Sequence, residues 1–116
     1  MLKKQDEMVK EIKERMRGGK GSVELTHAFT QEEFIGKCRL FARVVLEPGC
    51  SIGMHTHDRE EEVYYIISGK GTVDDNGDIY MLKPGDAVKT GNGSYHAIEN
   101  TGTETLVMIA VILLFD

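Results

Sequence analysis

The sequence predicts an all-β domain, a barrel or a sandwich of short strands. Apolar residues alternate with a period of two from Val23 onward, and turn residues such as Asn76-Gly77 and Pro84-Gly85 separate the alternating segments. No helix pattern lies between these segments. With 116 residues, 41% of them hydrophobic, the chain is long enough for one core and too short for two domains.

The first 21 residues differ from the rest. Residues 4–17 place Met8, Val9, Ile12 and Met16 at helical spacing before Gly18-Gly19 ends the pattern. We therefore expect a short amphipathic helix in an N-terminal extension, residues 1–21, followed by one domain, residues 22–116. The helix is expected to cover the domain or pack on a second subunit, because its apolar stripe is narrow for lipid or calmodulin-like binding.

Strands are predicted through the remainder of the chain. Thr30–Glu33 resembles a capping box for one helical turn, and Asn76-Gly77 predicts a tight type I′ hairpin. The expected strands cover residues 23–29, 38–46, 53–57, 62–67, 71–75, 78–82, 87–89 and 103–115. In the strand 38–46, the even-numbered residues form the more uniformly apolar face.

Composition excludes several functions. Residues 21–116 carry 7 basic against 15 acidic residues, a net charge of −8 that repels phosphate backbones, so we expect no nucleic-acid partner. Leu106–Phe115, the longest apolar run, is half the length of about 20 residues that a membrane helix needs. Cys38 and Cys50 form no disulfide framework, and no apolar signal segment follows the N-terminus, so a reducing cytoplasm fits best.

Three of the four histidines lie in one arrangement with a glutamate. In a strand, His55 and His57 face the same side, roughly 7 Å apart at their Cα atoms. A tight turn would bring Glu62, at the start of the next strand, beside them. His96 follows in a second glycine-rich stretch, and the set predicts a metal site.

These residues belong to two longer motifs. Gly49, five residues, His55, one residue, His57, four residues, Glu62, six residues and Gly69 resemble the first motif of the cupin superfamily. Gly85, five residues, Gly91, one residue, Gly93, two residues, His96, three residues and Asn100 resemble the second, with Gly91 where the family has proline. The resemblance covers roughly residues 37–114, and 15 residues separate the motifs, as in small microbial cupins.

The resemblance implies a double-stranded β-helix, a jelly-roll-like barrel, with one divalent ion held by His55, His57, Glu62 and His96. Three imidazoles and one carboxylate suit Mn, Fe, Co, Ni, Cu or Zn, and an octahedral ion would keep about two positions for water, substrate or dioxygen. Some members of the family have lost the metal and bind ligands without it.

Other residues are candidates of a weaker kind. Tyr64 shares the inward face of Glu62, so its hydroxyl either reaches the substrate as a catalytic group or fills the barrel. His27 is interpreted as a core or interface histidine and Cys50 as a small turn residue. Glu60 and Glu61 are interpreted as a solvated charge run.

Two arginines leave a further alternative open. Arg39 and Arg43 would bind an anion if their strand face lines the barrel, but a solvent-facing or subunit-facing position is favoured because the opposite face is more apolar.

Two classes of function follow. The first is a metal-dependent enzyme, of the dioxygenase, isomerase or decarboxylase type, acting on a small oxygenated molecule. The second is a non-catalytic, metal-dependent module that binds or senses a small molecule. We favour the enzyme. We also expect a homodimer, because the alternating strand from Val23 to Phe29 offers backbone groups that need a partner.

Overall fold

Short segments between glycine and asparagine turns form ten β-strands in a computed structural model that describes all residues from 1 to 116. The strands are β1 (Val9–Glu14), β2 (Ser22–His27), β3 (Cys38–Leu46), β4 (Ser51–Thr56), β5 (Glu60–Ser68), β6 (Gly71–Asp75), β7 (Asp78–Leu82), β8 (Ala87–Gly91), β9 (Tyr95–Glu99) and β10 (Leu106–Leu114). Three single 3₁₀ turns, at Gln5–Glu7, Met16–Gly18 and Gln31–Glu33, are the helical segments. None of them approaches the length that a membrane-spanning helix requires.

The strands form two antiparallel sheets. The larger sheet has the order β1-β2-β3-β10-β5-β8, and the smaller has the order β4-β9-β6-β7. This arrangement confirms the all-β prediction. The two sheets are not closed into a barrel, because no backbone ladder joins one sheet to the other and each keeps two edge strands, so the arrangement is the sandwich alternative.

The core lies between the two sheets. It is built from the inward faces of strands in both sheets, as strand alternation requires, and each fully buried aliphatic side chain contributes roughly 1.5–3 kcal/mol. Its members are Val23, Leu25, Ala42, Val44, Leu46, Ile52, Tyr64, Ile66, Val73, Leu82, Ile98, Leu106, Met108 and Ala110. The even-numbered face of β3 is therefore the inward one.

The predicted N-terminal helix is wrong. Residues 9–14 form β1, which pairs with β2 in an unbroken register from Val9 opposite His27 to Glu14 opposite Ser22. An isolated helix of this length is marginal in water, whereas the edge of β2 offers a full row of backbone partners. All six residues of β1 are exposed, so the apolar spacing of Val9 and Ile12 does not report a core face.

The hairpin prediction is confirmed. Asn76 and Gly77 both have positive φ, 53° and 95°, as a type I′ turn requires. The Asp74 side chain accepts a hydrogen bond of 3.0 Å from the Gly77 backbone.

Residues 15–21, which we call the strap, connect β1 to β2 and cross to β4 in the other sheet. Lys20 and Ser51 exchange two hydrogen bonds of 2.9 Å, one between backbone atoms and one to the Ser51 hydroxyl. Gly19 and Gly53 meet face to face: a Cβ on Gly53 would lie 2.1 Å from the Arg17 carbonyl oxygen, and one on Gly19 would lie 2.3 Å from the Ser51 carbonyl oxygen. The strap thus fastens the end of the large sheet to a strand of the small one.

We expect Gly53→Ala to lower the free energy of unfolding by about 1–3 kcal/mol, because the added methyl group would overlap backbone atoms that cannot rotate away. Gly36→Ala is the matched control, since nothing lies within 4 Å of that site. Urea denaturation of both variants measures the difference. Equal stability of the two variants would contradict the close docking of the strap.

Candidate metal centre

The four predicted metal ligands come from both sheets. His55 in β4 and His96 in β9 are opposite each other in register, after an irregularity in β4 between Ile52 and His55. His57 follows β4, and its backbone is held by hydrogen bonds to Ser94 and Gly93. Glu62 lies in β5 of the larger sheet, so the cluster bridges the two sheets.

The side-chain donor atoms of these residues converge on one point. His96 Nε2 lies 2.9 Å from His57 Nε2 and 3.0 Å from both His55 Nε2 and Glu62 Oε1. Glu62 Oε1 is 2.8 Å from His57 Nε2 and 3.8 Å from His55 Nε2. Neighbouring ligands of an octahedral ion with bonds of about 2.1 Å are about 3.0 Å apart. The cluster has the dimensions of such a coordination shell.

Two histidines have their protons placed by the surrounding protein. His55 Nδ1 donates to the Gly53 carbonyl oxygen at 2.7 Å, and His57 Nδ1 donates to Glu60 Oε2 at 2.5 Å. Each Nε2 lone pair is therefore directed toward the other imidazoles, an arrangement that a cation stabilises. His96 Nδ1 is buried and has no protein partner. The donor set fits a divalent transition metal.

Burial and hydrogen bonding have opposite effects on the pKa values of the cluster. Burial disfavours ionised Glu62, but hydrogen bonds from the three histidines prevail and hold its pKa far below the ordinary value. Burial also opposes charge on His57, yet hydrogen bonds to Glu62 and Glu60 raise its pKa. Burial lowers the pKa of His96, against the attraction of Glu62.

Glu60 was not identified from the sequence as part of this centre. It is largely buried, orients His57, and receives two hydrogen bonds from Arg39, 3.0 Å from Nε and 2.9 Å from Nη2. The prediction that Glu60 is solvated is therefore wrong. The sequence signal for this role is that Glu60 stands three positions after His57, because a carboxylate that hydrogen-bonds to a ligating histidine is a common arrangement.

Arg39 lines a cavity next to the metal-ligand cluster, whereas the sequence favoured a solvent-facing or subunit-facing position. In the pairing of β3 with β10, Leu40 and Cys38 face consecutive residues, so Arg39 is an extra residue whose side chain is redirected. Arg43, without this irregularity, is exposed.

Tyr64 lies inside the cavity beside the metal ligands. Its ring stacks on His96 with centroids 4.8 Å apart and planes at 8°, and its hydroxyl is 3.3 Å from His96 Nε2. Burial, reinforced by the Glu62 charge, raises the pKa of this hydroxyl well above its usual value. The group therefore keeps its proton and acts as a donor.

The remaining candidates lie outside the cluster. His27 pairs with Glu11 at 2.6 Å. Cys50 is a free thiol packed beside Gly21, and Glu61 pairs with Lys89 at 3.4 Å on the surface.

A cavity of about 630 Å³ opens above the cluster. His55, His57, Glu62 and Tyr64 line it, together with Lys13, Arg15 and Arg17 of the N-terminal segment. Apolar side chains complete the wall, including Leu25, Leu40, Val44, Ile52 and Ile112.

Residues 42–112 match the family model described as the cupin domain. The chain belongs to the cupin family. One cupin relative, the oxalate-binding protein of Thermotoga maritima, is 46% identical over 114 residues, which cover 98% of this chain and 94% of that protein. The match extends beyond the family domain, into the N-terminal strand and the strap.

Solved structures of other proteins resemble this fold. A Thermotoga maritima protein described as a predicted oxalate decarboxylase superposes with a TM-score of 0.93 at 46% identity, covering 98% of this chain and 99% of that one. A protein described as a putative sugar phosphate isomerase from Acidithiobacillus ferrooxidans has a TM-score of 0.60 at 38% identity, covering 64% of this chain and 49% of that one.

We expect His57→Ala to lose most bound metal and to remain folded, because His57 is not a member of the apolar core. Elemental mass spectrometry after incubation with Mn²⁺ measures metal content, and circular dichroism measures folding. His27→Ala is the control, since His27 borders the same cavity but is not in the cluster. Stoichiometric metal in His57→Ala would contradict the assignment.

We expect metal affinity to fall as the pH drops from 8 to 6. A protonated imidazole cannot bind a metal, and His57, whose pKa is raised, gains its proton before His96, whose pKa is lowered. In Glu60→Gln the raised pKa of His57 should fall, which moves the acidic loss of metal to lower pH. Mn²⁺ titrations at several pH values measure the midpoint, and an unchanged or higher midpoint in Glu60→Gln would contradict this explanation.

Proposed function

We propose that this cupin binds a small, oxygen-rich dianion of the oxalate type at a divalent metal held by His55, His57, Glu62 and His96. One observation carries the proposal: three of the four metal ligands, His55, His57 and Glu62, line the same cavity as a group of cationic side chains. The name of the Thermotoga relative, an oxalate-binding protein, supports the same ligand class.

The charge of the cavity favours an anion. Lys13, Arg15, Arg17 and Arg39 line it, against the carboxylates of Glu14 and Glu62. Arg39 is neutralised by Glu60, and Glu14 accepts a hydrogen bond of 2.6 Å from Ser22. Since the rest of the domain is acidic, these cations form a local region of opposite sign that would attract a small dianion.

A bound divalent ion would supply Lewis acidity and open coordination positions for ligand oxygens. The protein groups would then orient the ligand. The apolar wall excludes water from part of the cavity, which strengthens the attraction between the ligand and the cations. The Tyr64 hydroxyl, which holds its proton, would donate a hydrogen bond to a ligand oxygen above His96.

The second candidate is turnover of the bound molecule, by an enzyme of the decarboxylase, dioxygenase or isomerase type. Decarboxylation of hydrogen oxalate breaks the carbon–carbon bond, releases carbon dioxide and places a proton on the remaining carboxylate carbon as formate. Tyr64 is the buried hydroxyl placed to take part in that proton delivery, and it is our candidate catalytic residue. Glu62, a proposed metal ligand, and Glu14 are the only carboxyl groups that line the cavity, so few groups there could transfer a proton. We therefore rank binding ahead of turnover.

We expect Mn²⁺-loaded protein to bind oxalate with 1:1 stoichiometry in isothermal titration calorimetry, and the metal-free protein to bind at least tenfold more weakly. Carbon-13 NMR of the same samples, supplied with labelled oxalate, would detect formate if turnover occurs. Equal oxalate affinity with and without metal would contradict the proposed function. Formate formation that depends on Tyr64 would promote the second candidate.

We also propose that two copies pair through β1, as the expected homodimer requires. β1 is an edge strand whose six residues are all exposed. If two β1 strands run antiparallel with Ile12 on the twofold axis, Lys10 faces Glu14 and Glu11 faces Lys13 across the interface. Opposite charges directly across a strand pair are stabilising, so this edge is complementary to itself.

A charge-swap experiment tests this pairing. We expect Lys10→Glu/Lys13→Glu and Glu11→Lys/Glu14→Lys each to sediment as monomers, because like charges would then face each other. An equimolar mixture should restore the dimer, since every pair in the mixed interface is again of opposite charge. Sedimentation velocity at micromolar concentration measures the masses. A monomeric wild-type protein, or dimers of each variant alone, would contradict the interface.

Three further assignments remain proposals. We propose a cytoplasmic location, which the free thiols of Cys38 and Cys50 support. We propose that no nucleic acid or membrane is a partner, on the acidic charge of residues 21–116. We also keep the division into an extension, residues 1–21, and a domain, residues 22–116, with a strand in place of the expected helix.

A further inference from the structure

The strap places two arginines in an unusual backbone conformation. Arg15 has φ 49° and ψ 47°, and Arg17 has φ 54° and ψ 31°, both in the left-handed region. This region disfavours residues with a Cβ by about 1–2 kcal/mol. The same seven-residue segment also contains Gly18, Gly19 and Gly21, which have no Cβ, yet the two arginines adopt the left-handed conformation. Backbone strain of this kind often accompanies function.

Both arginines line the cavity above the metal-ligand cluster. Neither makes an ion pair or a side-chain hydrogen bond with another protein group, whereas Arg39 is held by Glu60. Both guanidinium groups are therefore available to a ligand in the cavity.

Hydrogen bonds and a close backbone contact hold the strap against β4. Its two ends are joined by a hydrogen bond of 2.8 Å between the Arg15 N–H and the Gly21 carbonyl oxygen, and its middle is docked on Gly53 of β4. The Gly53 carbonyl oxygen also accepts the Nδ1 proton of His55. One glycine thus positions a metal ligand on one side and the arginine-bearing strap on the other.

We propose that Arg15 and Arg17 form a ligand clamp that binds the oxygens of a dianion facing away from the metal, so that the strap selects dianions over monoanions. The inference rests on the proposed function and names the groups that give it specificity. A guanidinium group offers two parallel N–H donors that match a carboxylate, and the strap supplies two such groups without a protein partner at the wall of the cavity.

The test compares oxalate with acetate on Mn²⁺-loaded protein by calorimetry. In Arg15→Gln/Arg17→Gln we expect oxalate affinity to fall about 10- to 100-fold, in line with the loss of charge-assisted hydrogen bonds. Acetate affinity should change less than threefold, and Mn²⁺ affinity less than twofold. Arg15→Lys/Arg17→Lys keeps the charge without the paired donors and should bind oxalate with intermediate affinity.

Lys20→Gln is the matched control. It removes one positive charge from the same strap, but Lys20 pairs with Glu99 at 3.4 Å on the outer surface and does not line the cavity. Its oxalate affinity should equal that of the wild type. An equal loss in Lys20→Gln, or an equal loss of acetate binding in the arginine double variant, would show a general charge effect and overturn the clamp.

The two proposals fail in different ways. If wild-type protein binds oxalate only with metal, but the arginine double variant binds it equally well, the clamp alone is wrong. If metal-loaded wild-type protein binds neither oxalate nor its longer homologue malonate, the proposed function and the clamp are both overturned. Retained Mn²⁺ affinity and an unchanged circular dichroism spectrum exclude misfolding of the double variant as the cause of a loss.

Discussion

The convergence of three imidazoles and one carboxylate between two sheets is the constraint on which the site depends. His55 and His96 come from the small sheet and Glu62 from the large one, and the donor atoms of the cluster all lie within 4.8 Å of one another. In water such groups would repel or be solvated separately. Here Gly53 and Glu60 fix the imidazole protons outward, so the lone pairs face a common centre that a cation can occupy.

The strap joins this centre to the rest of the cavity. Because Gly19 and Gly53 have no side chains, the loop after β1 lies against the strand that carries His55. The contact holds Arg15 and Arg17 at the cavity that His55, His57 and Glu62 also line. The strand β1 contributes no residue to the core, but the strap that follows it contributes Arg15 and Arg17 to the cavity.

The sequence predicts the ligand cluster better than it predicts the N-terminal strand. The ligand cluster could be predicted because its spacing combines strand alternation with turns that need glycine, both of which are local. The N-terminal strand could not, since Val9, Ile12 and Met16 have helical spacing and only the edge of β2 favours a strand. Arg39 was assigned to the outer face and Glu60 to solvent for a similar reason, because a bulge and a buried ion pair are tertiary features.

The most direct test of the account is electron paramagnetic resonance of Mn²⁺-loaded protein titrated with ¹⁷O-labelled oxalate. The ion would lie among the four ligands with open positions facing the cationic cavity. We expect labelled oxalate to broaden the Mn²⁺ signal relative to unlabelled oxalate, because its oxygens would enter the coordination shell. An identical signal with both isotopes, at concentrations where calorimetry shows bound oxalate, would contradict the account.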